Sequence, residues 1–391
     1  MRDTLPPLSA WTSALVATAV GFGGTIALVV QAFRTMGASV EQTGSAITAL
    51  CLGIAVAGAA LSLRLRIPVV LAWSTPGAAL LVTAPPTSWP VACGAFALAG
   101  LIGVAFGAVP FLGRLAGAIP PPVASAMLAG VLLPFGLETF RQANADPLFV
   151  LLLCGIFVAA RQRVPLYALL LVLAVGVALT LARGDLGTLP DGATFGSLVP
   201  AGMAFDAGAV LSIALPLFVV TLVSQNLPGI AVLQLAGYSP RPGPLLVGTG
   251  LASVAAAPFG AHAVNLAAIT AALCTSPDAD PSRERRWRVA LIYAGFYLLL
   301  AIFAPALVRT FLALPHTAIA VLTGLAIVPT LSGALEAMLA SSEHRDATIL
   351  TLLVTASGLT LFGIGSAFWG IAAGLGTIAV ARVLRQRRTP V

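Results

Sequence analysis

Three short stretches hold the side chains of this chain that are equipped for chemistry. "PFGAHAVNLAAIT" (258–270) places His262 and Asn265 in an oily run beside the helix-breaking residues Pro258 and Gly260. "SQNLPG" (224–229) places Ser224, Gln225 and Asn226 just ahead of Pro228. "AWSTPGAALL" (72–81) places Trp73, Ser74 and Thr75 ahead of Pro76. Carboxamides donate to a carboxylate or accept from a hydroxyl. An imidazole carries a proton or, as a cation, holds an anion. A neutral histidine bridging two helices, and amides bonding helix to helix, are the plain structural alternatives.

Catalytic sets are not apparent. The chain lacks the H-E-x-x-H and G-x-S-x-G patterns. Its paired acids, Asp278 and Asp280, stand beside four arginines in "SPDADPSRERRWR", so an intramembrane metal-dependent transferase is a remote reading. Cys51, Cys93, Cys154 and Cys274 form no C-x-x-C pair, and neither a metal nor a cofactor is expected.

The elements that must position these groups are membrane spans. Of 391 residues, 59% are hydrophobic and 8% charged, against about 25% charged in a soluble domain. Apolar runs long enough to cross a bilayer recur throughout. The net charge of +7 comes entirely from arginines in short breaks between those runs, with no aromatic-rich basic face for nucleic acid.

Charged and Pro/Gly-rich punctuation divides the chain into fourteen segments. The first seven lie near 11–33, 41–63, 68–84, 89–112, 120–140, 147–160 and 164–182. The second seven lie near 206–235, 243–257, 260–275, 288–311, 315–339, 347–363 and 366–384. With both termini cytoplasmic, sixteen of the twenty arginines fall inside, against Arg34, Arg141, Arg183 and Arg309 outside. The polar interval 183–205 splits the segments seven and seven, and an odd number per half inverts the second half. Echoes such as "VASAMLAGVL" (123–132) with "TAIAVLTGLA" (317–326), and "STPGAAL" (74–80) with "AVNLAAI" (263–269), keep the same order in both halves.

Segments three and ten are interrupted. Thr75 followed by Pro76 reads as an N-cap and a first helical proline. The helical part, 76–84, reaches about 14 Å, which is too short for a core of roughly 30 Å. In segment ten the helix is expected to resume around His262–Asn265 and end near Thr275. Both half-helices should direct free N–H groups toward one midplane point suited to an anion. "GFGG" (21–24), with Gly23 and Thr25, allows close approach beside segment three.

At "AWSTPGAALL", "SQNLPGIAVLQLAGY" and "PFGAHAVNLAAITAA" the sequence resembles the benzoate/proton symporter family, the benzoate membrane transport proteins. The likeness extends over nearly the whole chain. More distantly it is similar to the uracil/xanthine permeases and the sulfate/bicarbonate anion transporters. The resemblance implies an all-α polytopic protein with a seven-plus-seven inverted repeat. It also implies a core domain (1–113 and 206–311), a gate domain (114–205 and 312–391), elevator-type movement and often a homodimer. The permeases carry glutamates in spans eight and ten, where this sequence offers Gln225, Asn226, His262 and Asn265.

The expected partners are therefore a small anionic aromatic substrate, protons and the lipid of a bacterial inner membrane. The expected substrate residues are Gly23, Thr25, Trp73, Ser74, Thr75, Pro76, Gln225, Asn226, Gly260, His262 and Asn265. His262, Glu138 and Glu336 are the candidates for proton coupling. An inorganic-anion or nucleobase transporter of the same fold is the nearest alternative.

Overall fold

The computed structural model describes residues 5–109, 120–340 and 344–386. The expected core–gate boundary at 113/114 lies outside these residues, as do Arg2, Arg114, Arg387 and Arg388 of the charge asymmetry.

The first half begins with α1 (Leu8–Gly23) and α2 (Ile26–Thr35), interrupted at Gly24–Thr25, then α3 (Val40–Leu65). A three-residue strand β1 (Leu71–Trp73) leads into the short helix α4 (Thr75–Thr83), followed by α5 (Trp89–Ala108). After them come α6 (Pro121–Arg141), α7 (Pro147–Arg163) and α8 (Ala168–Arg183). The second half repeats the plan with α9 (Ala207–Leu235), α10 (Pro242–Ala256), β2 (Val264–Leu266) and α11 (Ile269–Thr275). It ends with α12 (Trp287–Leu312), α13 (His316–Leu339), α14 (Arg345–Ala356) and α15 (Ser366–Gln386). Among the described residues, nine helices are long and apolar enough to cross a membrane.

Packing records the inversion. α3 lies along α12, and α5 along α10. Exchanging each element with its counterpart in the other half turns the first pair into the second. α6 packs on α13, which are themselves counterparts. At the centre, β1 and β2 pair antiparallel, with Leu71 opposite Leu266, Ala72 opposite Asn265 and Trp73 opposite Val264. The same element of each half therefore runs in opposite directions. One large apolar cluster runs through α1–α6 and α9–α12, and a smaller one joins α7, α8 and α13 around Leu153, Val172 and Val321.

Two local expectations are corrected. Ser74, not Thr75, caps α4: it is extended (φ −83°, ψ 96°), and its Oγ accepts from the Gly77 N–H at 3.0 Å. Thr75 and Pro76 are the first two helical residues, which suits a proline because those N–H groups have no helical acceptor. In segment ten, helix does not resume at His262–Asn265. Asn265 lies within β2, paired across to Ala72, and α11 starts only at Ile269. The strand pairing supplies acceptors and donors to backbone that a helix would otherwise have satisfied.

Candidate functional site

Extended backbone at membrane depth persists only where protein satisfies it, and here it is thoroughly stitched. Ser62 Oγ accepts from the Val69 N–H, and Ala267 N–H donates to the Val70 carbonyl at 3.0 Å. Tyr293 donates its hydroxyl to the Leu71 carbonyl at 3.0 Å. On the other strand, Ser253 Oγ accepts from Val264 N–H at 2.9 Å, and Asn226 Oδ1 accepts from Leu266 N–H at 2.9 Å. His262 Nε2 donates to the Ser74 carbonyl at 2.9 Å, which ties segment ten to the start of α4. A carbonyl only accepts, so Nε2 carries the proton there. His262 and Asn265 are both fully buried, and His262 Nδ1 and Asn265 Oδ1 have no partner among the described residues. Phe33 and Phe96 meet the imidazole edge-on, at ring-centre distances of 5.5 and 6.4 Å.

α9 owes its shape to two prolines. A proline lacks an N–H and crowds the carbonyl four residues earlier. Ahead of Pro216 and Pro228 the helix widens into π turns at Val210–Ala214 and Leu222–Asn226. The second turn separates adjacent amides. Asn226 is buried and bonds β2, whereas Gln225 faces the other way, into a cavity. Widened turns of this kind recur at functional positions in helices.

That cavity has a volume of about 400 Å3 and borders the crossing. Both broken spans reach it, through Ala72, Trp73 and Thr75 from one and Ala267–Thr270 from the other. α1 and the following break add Val20, Gly21 and Thr25, and α9 adds Val223, Ser224, Gln225 and Pro228. The opposite wall is α6, α8 and α13, with Ser125, Leu128, Leu169, Thr330 and Gly333. No described lining residue is ionisable. Trp73 is fixed by its Nε1–H donating to Thr25 Oγ1 at 2.8 Å and by Phe22, whose ring centre lies 5.1 Å away. Thr25 in turn donates to the Gly21 carbonyl at 2.8 Å, closing the break between α1 and α2. The Gln225 carboxamide makes no hydrogen bond among the described residues, so its donors are available to an occupant.

Of the eleven expected substrate residues, Thr25, Trp73, Thr75 and Gln225 line the cavity. The other seven do not. Ser74, Asn226, His262 and Asn265 hydrogen-bond the walls from behind, and Pro76 is buried in the first turn of α4. Gly23 faces Leu170 and Leu173 of α8, and Gly260 (φ +95°) turns the chain against Trp89. Glu138 hydrogen-bonds Gln142 at the end of α6 and lies 3.6 Å from Arg141. Glu336 is exposed, directly before Ala337 at the rim of the cavity. Sequence reasoning took Gly23 rather than Gly21 from the "GFGG" stretch, and it missed Thr270 and the α13 face. A side chain on Gly21 would come within 3.1 Å of Thr270 and 3.3 Å of the Tyr297 hydroxyl. The α13 face was signalled by small residues at helical spacing, Ala326, Thr330, Gly333 and Ala337.

A cavity at the meeting point of two inverted, broken spans defines a membrane transporter. Solved structures share the fold. The transmembrane domain of a cyanobacterium bicarbonate transporter, BicA, superposes with a TM-score of 0.60 at 18% identity, over 94% of this chain and 97% of that one. SLC26A9 gives 0.65 at 13% identity, over 97% of this chain and 65% of that one. Residues 5–380 match the family described as benzoate membrane transport protein, and the chain belongs to that family. A protein of Acinetobacter baylyi named benzoate membrane transport protein is 34% identical over 371 residues, 94% of each chain. The inner membrane protein YdcO of Escherichia coli K12 is 42% identical over 366 residues, 92% of each.

Proposed function

We propose that this chain is a secondary active transporter that imports benzoate or a similar small aromatic carboxylate together with protons. The observation that carries this reading is the cavity itself: apolar walls, a fixed indole, a free carboxamide at Gln225 and, among its described lining residues, no carboxylate to repel an anion. A benzene ring packs against Trp73 and the leucine and alanine wall, while Gln225 and Thr75 donate to the carboxylate. The name of the Acinetobacter relative supports the substrate class. An inorganic anion would leave the apolar wall unused, and a nucleobase would meet no carboxylate like those of the permeases.

Proton coupling follows from charge balance. Carrying one negative charge inward against an inside-negative potential costs about 2.3 kcal/mol per 100 mV. A co-transported proton cancels that charge. Since no described lining residue titrates, the proton sites are sought just outside, at Glu336 on the rim, His262 behind Ser74, or Glu138.

Elevator movement would carry residues 1–113 and 206–311 past the gate, 114–205 and 312–391, within a homodimer of the bacterial inner membrane. With the arginine-rich side cytoplasmic, the gate lining would come from the inner parts of α6, α8 and α13. The test is benzoate binding to purified protein and its uptake into liposomes. Gln225→Leu removes a charge-assisted hydrogen bond of about 1.5–3 kcal/mol, so affinity should fall roughly ten- to hundredfold. Unchanged affinity rejects the site, uptake indifferent to an inward proton gradient rejects symport, and stronger competition by sulfate or uracil rejects the substrate class.

A further inference from the structure

On the outer face of the molecule, α3 and α10 border an apolar groove of about 460 Å3, separate from the transport cavity. The α3 wall runs from Ala49 to Arg64, about 22 Å along the helix axis. Its floor is small, because Gly53 packs against Ala252 and Ala256 while Gly248 packs against Leu61. Its rims, Val56 and Leu251, are exposed. Here the groove stays open along most of a membrane span.

The groove has a polar end. Arg64 stands in the last turn of α3, and its guanidinium makes no hydrogen bond or ion pair among the described residues. The contacts of Gly248 with Leu61 and of Gly53 with Ala256 make α3 and α10 antiparallel. Arg241, which directly precedes α10, therefore belongs to the Arg64 end. Arg66 lies over the Trp287 ring, 4.5 Å from its centre, at the same end. A long apolar slot that ends in arginines, with a tryptophan at the same level, matches an amphiphile with one extended chain and an anionic head.

We propose that this groove binds an anionic phospholipid, with one acyl chain lying along α3 and the phosphate held by Arg64 and Arg241. The lipid would come from the leaflet on the arginine-rich side. It would seat between helices of the second and ninth segments, filling space that the protein leaves open.

The test uses the full chain in neutral detergent. It is titrated with phosphatidylglycerol and, separately, with phosphatidylcholine of the same chains, and retained lipid is read by native mass spectrometry. Phosphatidylglycerol should be retained preferentially. Arg64→Gln should weaken its binding about fivefold, the effect of one arginine near a charged headgroup, and leave phosphatidylcholine unchanged. Ala60→Phe, an exposed position inside the groove, should lower retention of both lipids. Equal retention of the two lipids, or phosphatidylglycerol binding unaltered in both variants, overturns the proposal. So does a disulfide-linked dimer that forms with Val56→Cys and not with the parent protein, because a second copy would then occupy the groove.

Discussion

β1 with α4, and β2 with α11, are counterparts that place their polar residues differently. In the first, the polar groups sit at the helix start: Ser74 caps the first turn, Pro76 has no donor to satisfy, and Thr75 is left to face the cavity. In the second, α11 starts after Ala268 with no capping side chain, Thr270 in its first turn reaches the cavity, and the polar residues that bond backbone lie upstream, where His262 and Asn265 serve extended backbone. Thus one broken span supplies the aromatic wall and the other supplies the fastening. Polar residues in a broken membrane span need not face the substrate. Some of them make the break affordable.

The sharpest way to break this comparison is Asn226→Leu, which keeps the forked shape of the side chain but leaves the buried Leu266 N–H without an acceptor. The expected cost is about 1–3 kcal/mol, read as a lowered unfolding temperature in detergent, with benzoate binding declining alongside it. A fall in affinity at unaltered stability would instead make Asn226 a substrate ligand. Next, Ser74→Ala removes the cap of α4 and should cost about 1 kcal/mol of stability by the same measurement. If it cost nothing, the helix start would not depend on its cap, and the contrast between the two spans would lose its basis. Smallest, Trp73→Phe keeps the packing on Phe22 but loses the hydrogen bond to Thr25, worth about 0.5–1.5 kcal/mol. Stability should fall by no more than that amount while benzoate affinity falls a few-fold, and an unaffected Kd would remove the indole from the site.

Much of the architecture was legible in the sequence because apolar runs and prolines are strong signals in a bilayer. Each interruption lies close to its proline, but α4 already begins at Thr75 and helix returns only at Ile269 in segment ten. The cap register was misread by one residue, since Ser74 and Thr75 are both good caps and only the backbone angles choose between them. The start of α11 was misread by several residues, because "AHAVNLAA" suits a helix locally and becomes a strand only through pairing with a segment in the other half. Gln225 and Asn226 could not be told apart either. Which amide faces the cavity depends on the extra residue in the π turn before Pro228, and that turn has no signature beyond the proline.

The antiparallel ribbon at the centre also bears on how the protein is made. Leu71 leaves the ribosome roughly 200 residues ahead of Leu266, a delay of roughly 10 to 40 s at ordinary rates of synthesis. Throughout that interval the peptide groups of Leu71–Trp73 lack the strand that completes them, and hydrocarbon offers no substitute. The nascent segment must therefore wait at the bilayer surface or within the insertion machinery. A chain truncated before Val264 would carry an unfinished span with no stable place in the membrane.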